Sequence, residues 1–195
     1  MKKLFFRLLC FSTGLAILSF GYTLIMHAGL GSDSFGMLIQ GISIKTGITI
    51  GRGSQLINLT VVLIVLVWNR KPTGVGTFII MFGLGLFMDL YLSVLPVGVP
   101  LAVNVLFLAV GIIAAGFGIA LTIISDMGAS PVDCLMLLLS TKLNASIATV
   151  RIIMEITIAL AGWLLGGTAG LGTILASLFI GPAINTSLKA FKKVK

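Results

Sequence analysis

The chain alternates long apolar segments with short turns in which glycine, proline and charged residues gather. Two segments, at 33–45 and 130–142, would form only about 20 Å of helix each, against roughly 30 Å of bilayer hydrocarbon. The pattern predicts an all-α polytopic membrane protein with about six transmembrane helices and two short helices, for which a re-entrant course is left open. The six long segments lie at about 5–26, 52–68, 74–93, 102–124, 147–165 and 171–188.

Composition favours a membrane protein over a soluble one. Of the 195 residues, 58% are hydrophobic and 9% are charged, whereas about a quarter of a soluble domain is charged. No segment alternates like a barrel strand, and helices satisfy their own backbone groups in lipid. We therefore expect one membrane domain over residues 1–195. Cys10 and Cys134 have no partner at metal-ligand spacing, so neither a disulfide nor a zinc site is predicted.

The two halves of the chain are related in sequence. Sliding the chain on itself by 97 residues superimposes Gly31 on Gly128 and Lys45 on Lys142, and a one-residue deletion then aligns 74–77 with 170–173. Repeat one covers about 5–93 and repeat two about 102–188. Because each repeat would cross the membrane three times, the second would be inverted relative to the first, as in many secondary transporters.

The basic start of the chain resembles a signal peptide, but its apolar run continues to about Met26 without a small-residue cleavage site. Residues 5–26 also match the internal segment 102–123. We therefore expect the first helix to stay in the mature protein.

The formal net charge of +8 is carried mainly at segment ends rather than on one amphipathic face, which favours membrane topology over nucleic-acid binding. With both termini cytoplasmic, Lys45 and Arg52 fall outside and Arg151 lies near or within a helix. An eight-crossing alternative would place Arg70 and Lys71 outside, so six crossings fit the positive-inside rule better. The basic residues expected inside are Lys2, Lys3, Arg7, Arg70, Lys71, Lys142, Lys189, Lys192, Lys193 and Lys195.

The stretch from Gly128 to Asp133 predicts a helix start, with Ser130 as N-cap and Pro131 at the first helical position. Asp133 can return a bond to the cap. Asp33 aligns with Ser130 in the first repeat. One interpretation has both short helices aim their positive N-terminal ends at a shared midplane site for an anionic or polar solute. The alternative is that Asp133 only caps a helix at the membrane surface.

Arg151 and Glu155 stand four residues apart on one predicted helix, so they share a face and can neutralise each other. Glu155 aligns with Asn58, and Gln55 extends the polar face of that equivalent helix. Ionised groups at membrane depth tend to mark solute pathways. The alternative is that Arg151 snorkels to the interface and Glu155 only pairs with it.

Asp89, Asn185 and the single histidine, His27, are secondary candidates, although His27 is better explained as an interfacial residue than as a proton relay. The Gly-x-Gly-Thr pairs at 74–77 and 170–173 lack the remaining Walker residues and predict tight turns into helices rather than nucleotide binding. No catalytic triad, carboxylate dyad or metal cluster is visible. We therefore expect no enzyme activity, no cofactor and no metal.

At these motifs the chain resembles the YczE/YitT group of small bacterial membrane proteins. The resemblance rests on residues 128–133, on 47–51, on the Arg151 and Glu155 pair, and on 170–173 followed by Gly181-Pro182. The first repeat departs from the pattern, since Phe35-Gly36 stands where an aromatic residue and an aspartate are expected. The resemblance implies a protein of the bacterial plasma membrane and names no substrate.

Three functional classes remain open from the sequence. The leading hypothesis is a secondary transporter or permease for a small polar or anionic solute, with the two repeats rocking against each other. The second is a non-transporting membrane partner, either a substrate-binding subunit of an ATP-driven transporter or an accessory subunit of a membrane complex. The third is a channel. The expected contacts are the lipid bilayer and an unidentified solute, without nucleic acid, while a homo-oligomer or a partner subunit is left open.

Overall fold

A computed structural model describes residues 2–68 and 73–192, and within these ranges the chain is all-helical. The predicted fold class is therefore confirmed, and each predicted helix is found within a few residues of its expected bounds. The helices are α1 Lys2–His27, α2 Ser34–Thr46, α3 Ile50–Trp68, α4 Val75–Val94, α5 Leu101–Ser125, α6 Pro131–Leu143, α7 Ile147–Leu164 and α8 Leu171–Lys192.

Five helices of the described ranges, α1, α3, α4, α5 and α8, are long and apolar enough to cross a membrane. The protein is thus a polytopic helical membrane protein. Helix α7, the remaining predicted crossing, has 18 residues and is not one of the five, so six crossings stay a prediction. Arg70, Lys71, Lys193 and Lys195, which helped to orient the chain, lie outside the described residues.

Helices α1 and α5 form the centre of the molecule through close backbone contact at glycines. A Cβ on Gly21 would lie 2.4 Å from the backbone nitrogen of Ala115, and a Cβ on Gly118 would lie 2.4 Å from that of Leu18. Small residues allow such close approach between helices in lipid. Helix α4 packs on α1 and α8 packs on α5, while α2, α3, α6 and α7 pack mainly against one another and α3 also packs against α4.

Most contacts between two helices have a counterpart between the two equivalent helices of the other half of the chain. Contacts of α1 with α4 and of α2 with α7 have counterparts in α5 with α8 and α6 with α3. The turns match as well, because Gly172 N donates to Leu30 O at 2.8 Å and Gly76 N donates to Met127 O at 2.9 Å. Gly76 and Met127 are the residues aligned with Gly172 and Leu30.

The main exception is the contact between the last two helices of each half. Helices α3 and α4 pack so closely that a Cβ on Gly85 would lie 2.2 Å from the carbonyl oxygen of Gly51. Helices α7 and α8 hardly touch each other across the described residues. Gly181, which aligns with Gly85, has no neighbouring atom within 4 Å of its Cβ position. The second half therefore has a gap where the first half is closed.

Both Gly-x-Gly-Thr segments form the predicted turns into α4 and α8, and their threonines provide a stability test. Thr77 is fully buried, accepts from Gly74 N at 3.1 Å and donates to Ala129 O at 2.7 Å. Thr173 also accepts from Gly170 N, at 3.2 Å, but its hydroxyl donates to a sulfur atom, Met37 Sδ, at 3.9 Å.

We expect Thr77→Val to lower the free energy of unfolding by about 2 kcal/mol, since it leaves a part-buried donor, Gly74 N, and a part-buried acceptor, Ala129 O, without their partner. Thr173→Val should cost less, because a thioether sulfur is a weak acceptor. Unfolding of the purified variants in detergent measures both. Equal losses would show that the Ala129 bond contributes little.

Candidate functional site

A cavity of about 520 Å³ lies between the two halves of the chain, and α7 and α8, which hardly touch each other, both contribute to its lining. Its volume falls in the range of about 300–1,000 Å³ typical of small-molecule sites. All eight helices contribute lining residues, and so does the turn between α5 and α6. The cavity is therefore at the meeting point of both halves of the chain.

The short helices α2 and α6 both begin at this cavity. Ser130 caps α6 as predicted, because its Oγ accepts from Asp133 N at 3.2 Å and donates to Asp133 Oδ2 at 2.7 Å. Asp33 occupies the equivalent N-cap of α2 but makes no capping hydrogen bond from its side chain. The two predicted caps thus lie in one cavity with different hydrogen bonding.

Helix α7 contributes the predicted ion pair to the cavity. Arg151 Nε lies 3.8 Å from Glu155 Oε1, and both side chains are about half exposed. The other oxygen of Glu155, Oε2, accepts a hydrogen bond from Ser34 Oγ. Glu155 therefore joins α7 to the beginning of α2.

Asp33 is the least satisfied polar group of the cavity. Its Oδ1 is buried and makes no hydrogen bond of acceptable geometry. Burial raises the pKa of Asp33 to about 6, with a further contribution from Glu155, while the nearby backbone amides of Gly36 and Phe35 act in the opposite direction. Asp33 is thus a carboxylate kept in an environment that disfavours its charge.

Asn58 and Asp126 are two further polar residues of the lining. Asn58 is 2% exposed and donates through Nδ2 to Ser54 Oγ at 3.3 Å. Asp126 ends α5 in the left-handed conformation, and its Oδ2 accepts a hydrogen bond from Arg7 Nη2 at 3.0 Å. Arg7 therefore offsets one of the acidic groups of the cavity.

The cavity uses equivalent positions of the two halves. Tyr22 and Ile119, which are aligned by the 97-residue offset, both line it. The same holds for Asp33 with Ser130, for Ser34 with Pro131, for Phe35 with Val132 and for Asn58 with Glu155. Aligned residues thus meet at one site, and at most of these positions the chemistry of the two halves differs.

Four predicted candidates lie away from the cavity lining. Gln55 donates to Phe82 O at 3.0 Å at the contact between α3 and α4. Asp89 accepts from Thr49 Oγ1 at 2.6 Å and from Gly51 N at 2.7 Å, so it caps the start of α3.

His27 lies 2.9 Å from Pro96 O through Nε2, and its ring packs on Phe107. Asn185 is exposed on α8. The hydrogen bonds of His27, Gln55 and Asp89 indicate that these residues stabilise the fold. The remaining candidates, Asp33, Asn58, Ser130, Asp133, Arg151 and Glu155, are brought together at the cavity.

Sequence reasoning missed Tyr22, Ser34, Phe35 and Asp126 as lining residues. A signal existed for Asp126, because it is one of only five acidic residues in the chain and aligns with Gly29. Both residues have positive φ, 53° for Asp126 and 65° for Gly29. Tyr22 lies within the apolar segment of α1, and neither it nor Phe35 carries a charge that would mark a site in the sequence.

Within the described part of the chain, no three His, Cys, Asp or Glu side chains are grouped so that they could hold a metal ion. The cavity presents four carboxylates, one guanidinium and hydroxyl groups between apolar walls. Such a lining suits reversible binding of a small molecule.

In comparison with known proteins, residues 5–189 match the protein family DUF6198, which is described as a family of unknown function. An uncharacterized protein of Haemophilus influenzae is 36% identical over 92% of this chain and 82% of its own length. The uncharacterized membrane protein YczE of Bacillus subtilis is 29% identical over 96% and 87%, respectively. The uncharacterized protein YyaS of Bacillus subtilis is 26% identical over 85% and 84%. No solved structure matches.

Proposed function

Since the chain belongs to the family of unknown function DUF6198, which assigns it no activity, we propose from its geometry that it is a secondary transporter. Its two halves would be inverted repeats that carry a small solute across the bacterial plasma membrane, with both termini in the cytoplasm. The proposed activity is transport without enzymatic chemistry.

One observation supports this proposal above the others. Aligned residues of both halves line a single cavity, while α3 and α4 are closed on each other and α7 and α8 are parted. In transporters built from inverted repeats, the binding site lies at the repeat interface and the halves alternate between two arrangements. Exchanging the arrangements here would close α7 on α8, part α3 from α4 and open the cavity to the opposite side.

A cavity that alternates between two sides gives a test that requires no known solute. Met154, between Arg151 and Glu155 on α7, lines the cavity. In a chain whose Cys10 and Cys134 have been replaced, we expect Met154→Cys to react with a membrane-impermeant thiol reagent in both right-side-out and inside-out vesicles. The matched control is Ile156→Cys, on the same helix, 63% exposed and outside the cavity lining, which should react from neither side.

The alternatives give different results in the same vesicles. A substrate-binding or accessory subunit would leave Met154→Cys reactive from one side only, and that result would contradict the transporter. A channel would react from both sides but would also carry bilayer currents that do not saturate with solute concentration. Saturable counterflow by the isolated chain supports the transporter.

The accessory-subunit alternative has one observation in its favour. Most residues in the apolar stretch of α8 are exposed, and the helix packs mainly against α5. Its exposed large side chains include Leu171, Ile174 and Leu178. A face of this kind contacts either lipid or another helix. Co-purification of a second membrane subunit through α8 would favour this alternative.

A further inference from the structure

The acidic residues of this chain are concentrated in one place. The sequence contains five Asp and Glu residues against 13 Lys and Arg. Four of the five, Asp33, Asp126, Asp133 and Glu155, line the cavity, and Arg151 is the basic residue among its lining side chains. A strongly basic protein thus has an acidic cavity.

The net charge of the cavity is negative even after its ion pairs are counted. Arg7 neutralises Asp126 at 3.0 Å, which leaves three carboxylates facing the single guanidinium of Arg151. The N-termini of α2 and α6 each add roughly half a positive charge. The cavity therefore keeps roughly one uncompensated negative charge.

A second observation indicates where a ligand charge is missing. Asp33 lines the cavity, and its Oδ1 is buried without a hydrogen-bond partner. A buried ionised carboxylate is costly unless it is paired. Glu155, the other acidic group close to Asp33, is engaged by Ser34 and Arg151. Oδ1 itself faces the first turn of α2 beside Gly36, so a cation in the cavity would approach the Asp33 carboxylate from its other oxygen and supply a counter-charge that the chain does not provide.

The rest of the cavity wall is apolar and partly aromatic. Leu18, Ile119 and Ile158 line it from α1, α5 and α7. Tyr22 and Phe35 add two aromatic rings on the side of Asp33, and aromatic faces attract cations. A strongly hydrated inorganic ion gains little from such walls, whereas an organic cation buries its apolar body against them.

We propose that this cavity binds a monovalent organic cation with an apolar body, with Asp33 and Glu155 as its counter-charges. Arg151 is the internal cation that holds Glu155 when the cavity is empty of solute. This inference names the solute class of the proposed transporter, but binding itself does not depend on transport. It also replaces the anionic solute that the N-terminal ends of the short helices suggested, because the negative charge of the carboxylates exceeds the positive charge of Arg151 and those ends together.

The test uses two probes of nearly the same size and shape and of opposite charge, tetraphenylphosphonium and tetraphenylborate. Binding of each to the full chain purified in detergent is measured by equilibrium dialysis. We expect saturable, one-to-one binding of the phosphonium. Glu155→Gln and Asp33→Asn should each weaken it at least about tenfold, since each removes a countercharge in a poorly solvated site. Arg151→Gln should tighten it several-fold, because the competing cation is removed.

Asp89→Asn is the matched control, because Asp89 is the one acidic residue of the sequence that does not line the cavity. A folded, monodisperse Asp89→Asn protein should bind the phosphonium as the parent does. Tighter binding of tetraphenylborate, lost in Arg151→Gln, would overturn the proposal. Phosphonium binding that is unchanged in Glu155→Gln and Asp33→Asn would overturn it as well.

The outcomes separate this inference from the proposed function. Charge-dependent phosphonium binding, together with Met154→Cys reactivity from one side only, would support the cation site and contradict the transporter. Reactivity from both sides, together with borate binding that requires Arg151, would support the transporter and contradict the cation site.

Discussion

Gly85→Ala is expected to destabilise the protein by about 3 kcal/mol, because the added methyl group meets backbone rather than a flexible side chain. Its Cβ would lie 2.2 Å from Gly51 O and 2.8 Å from Gln55 Cγ. Helices α3 and α4 would have to separate to relieve this contact. The separation would also disturb Asp89, whose carboxylate accepts from Gly51 N. Unfolding in detergent, followed by circular dichroism, measures the loss.

The second repeat supplies a matched control at the aligned position. Gly181→Ala adds the same methyl group to a helix where no atom lies within 4 Å. Alanine is a better helix former than glycine by up to about 1 kcal/mol, so this variant should be as stable as the parent or more stable. Equal destabilisation of both variants would show that α7 and α8 are closed in solution, contrary to the described arrangement.

Asp33→Asn is expected to stabilise the protein near neutral pH, by up to about 3 kcal/mol. The pKa of Asp33 is raised from 3.8 to about 6 by burial and by Glu155. The ionised form is therefore disfavoured in the folded state. Asparagine has nearly the same shape, is an equally good N-cap and does not ionise.

The sign of the pH dependence follows from the raised pKa. Below pH 3.8 the carboxyl of Asp33 is protonated in both the folded and the unfolded chain, so it does not lower the free energy of unfolding. Between pH 3.8 and about 6 the unfolded chain has released the proton while the folded chain still holds it, so stability falls as the pH rises, and above about 6 the loss persists. Asp33→Asn should consequently match the parent near pH 4 and exceed it near about pH 7.5.

Thermal unfolding of the parent and the variant at these two pH values measures the difference. Asp89→Asn serves as the comparison, because Asp89 accepts two hydrogen bonds and its replacement should lower stability near neutral pH. An Asp33→Asn protein that is less stable than the parent at neutral pH would contradict the account of Asp33 as an unsatisfied carboxylate. Stabilisation by this variant would indicate that the cavity retains Asp33 at a cost to folding.

The helices of this protein could be predicted from local features. Ser130, Pro131 and Asp133 mark the start of α6 by their order alone, since capping involves residues within one turn. The Arg151–Glu155 pair was predictable for the same reason, because residues four apart share a helix face. Both features involve residues a few positions apart, and regular helix geometry fixes the distance between such residues.

The candidate site could be predicted only in part. Alignment of the halves drew attention to Asp33, Ser130, Asn58 and Glu155, which meet at the cavity. It could not separate them from Gln55 or Asp89, which bond within the packed contacts of α3. Both groups are polar residues on apolar helices, and the sequence does not record which face of a helix packs against a neighbour.

By itself, the sequence determined the membrane class, the helices and their caps, the relation between the halves and the scarcity of acidic residues. Those properties follow from composition and from short-range spacing along a helix. Only the tertiary structure decided that α3 and α4 are closed while α7 and α8 are parted, and that four of the five acidic residues line the resulting cavity. Ser34 and Glu155, which share a hydrogen bond, stand 121 positions apart in the chain. Contacts of that range depend on how whole helices pack, and no local pattern encodes them.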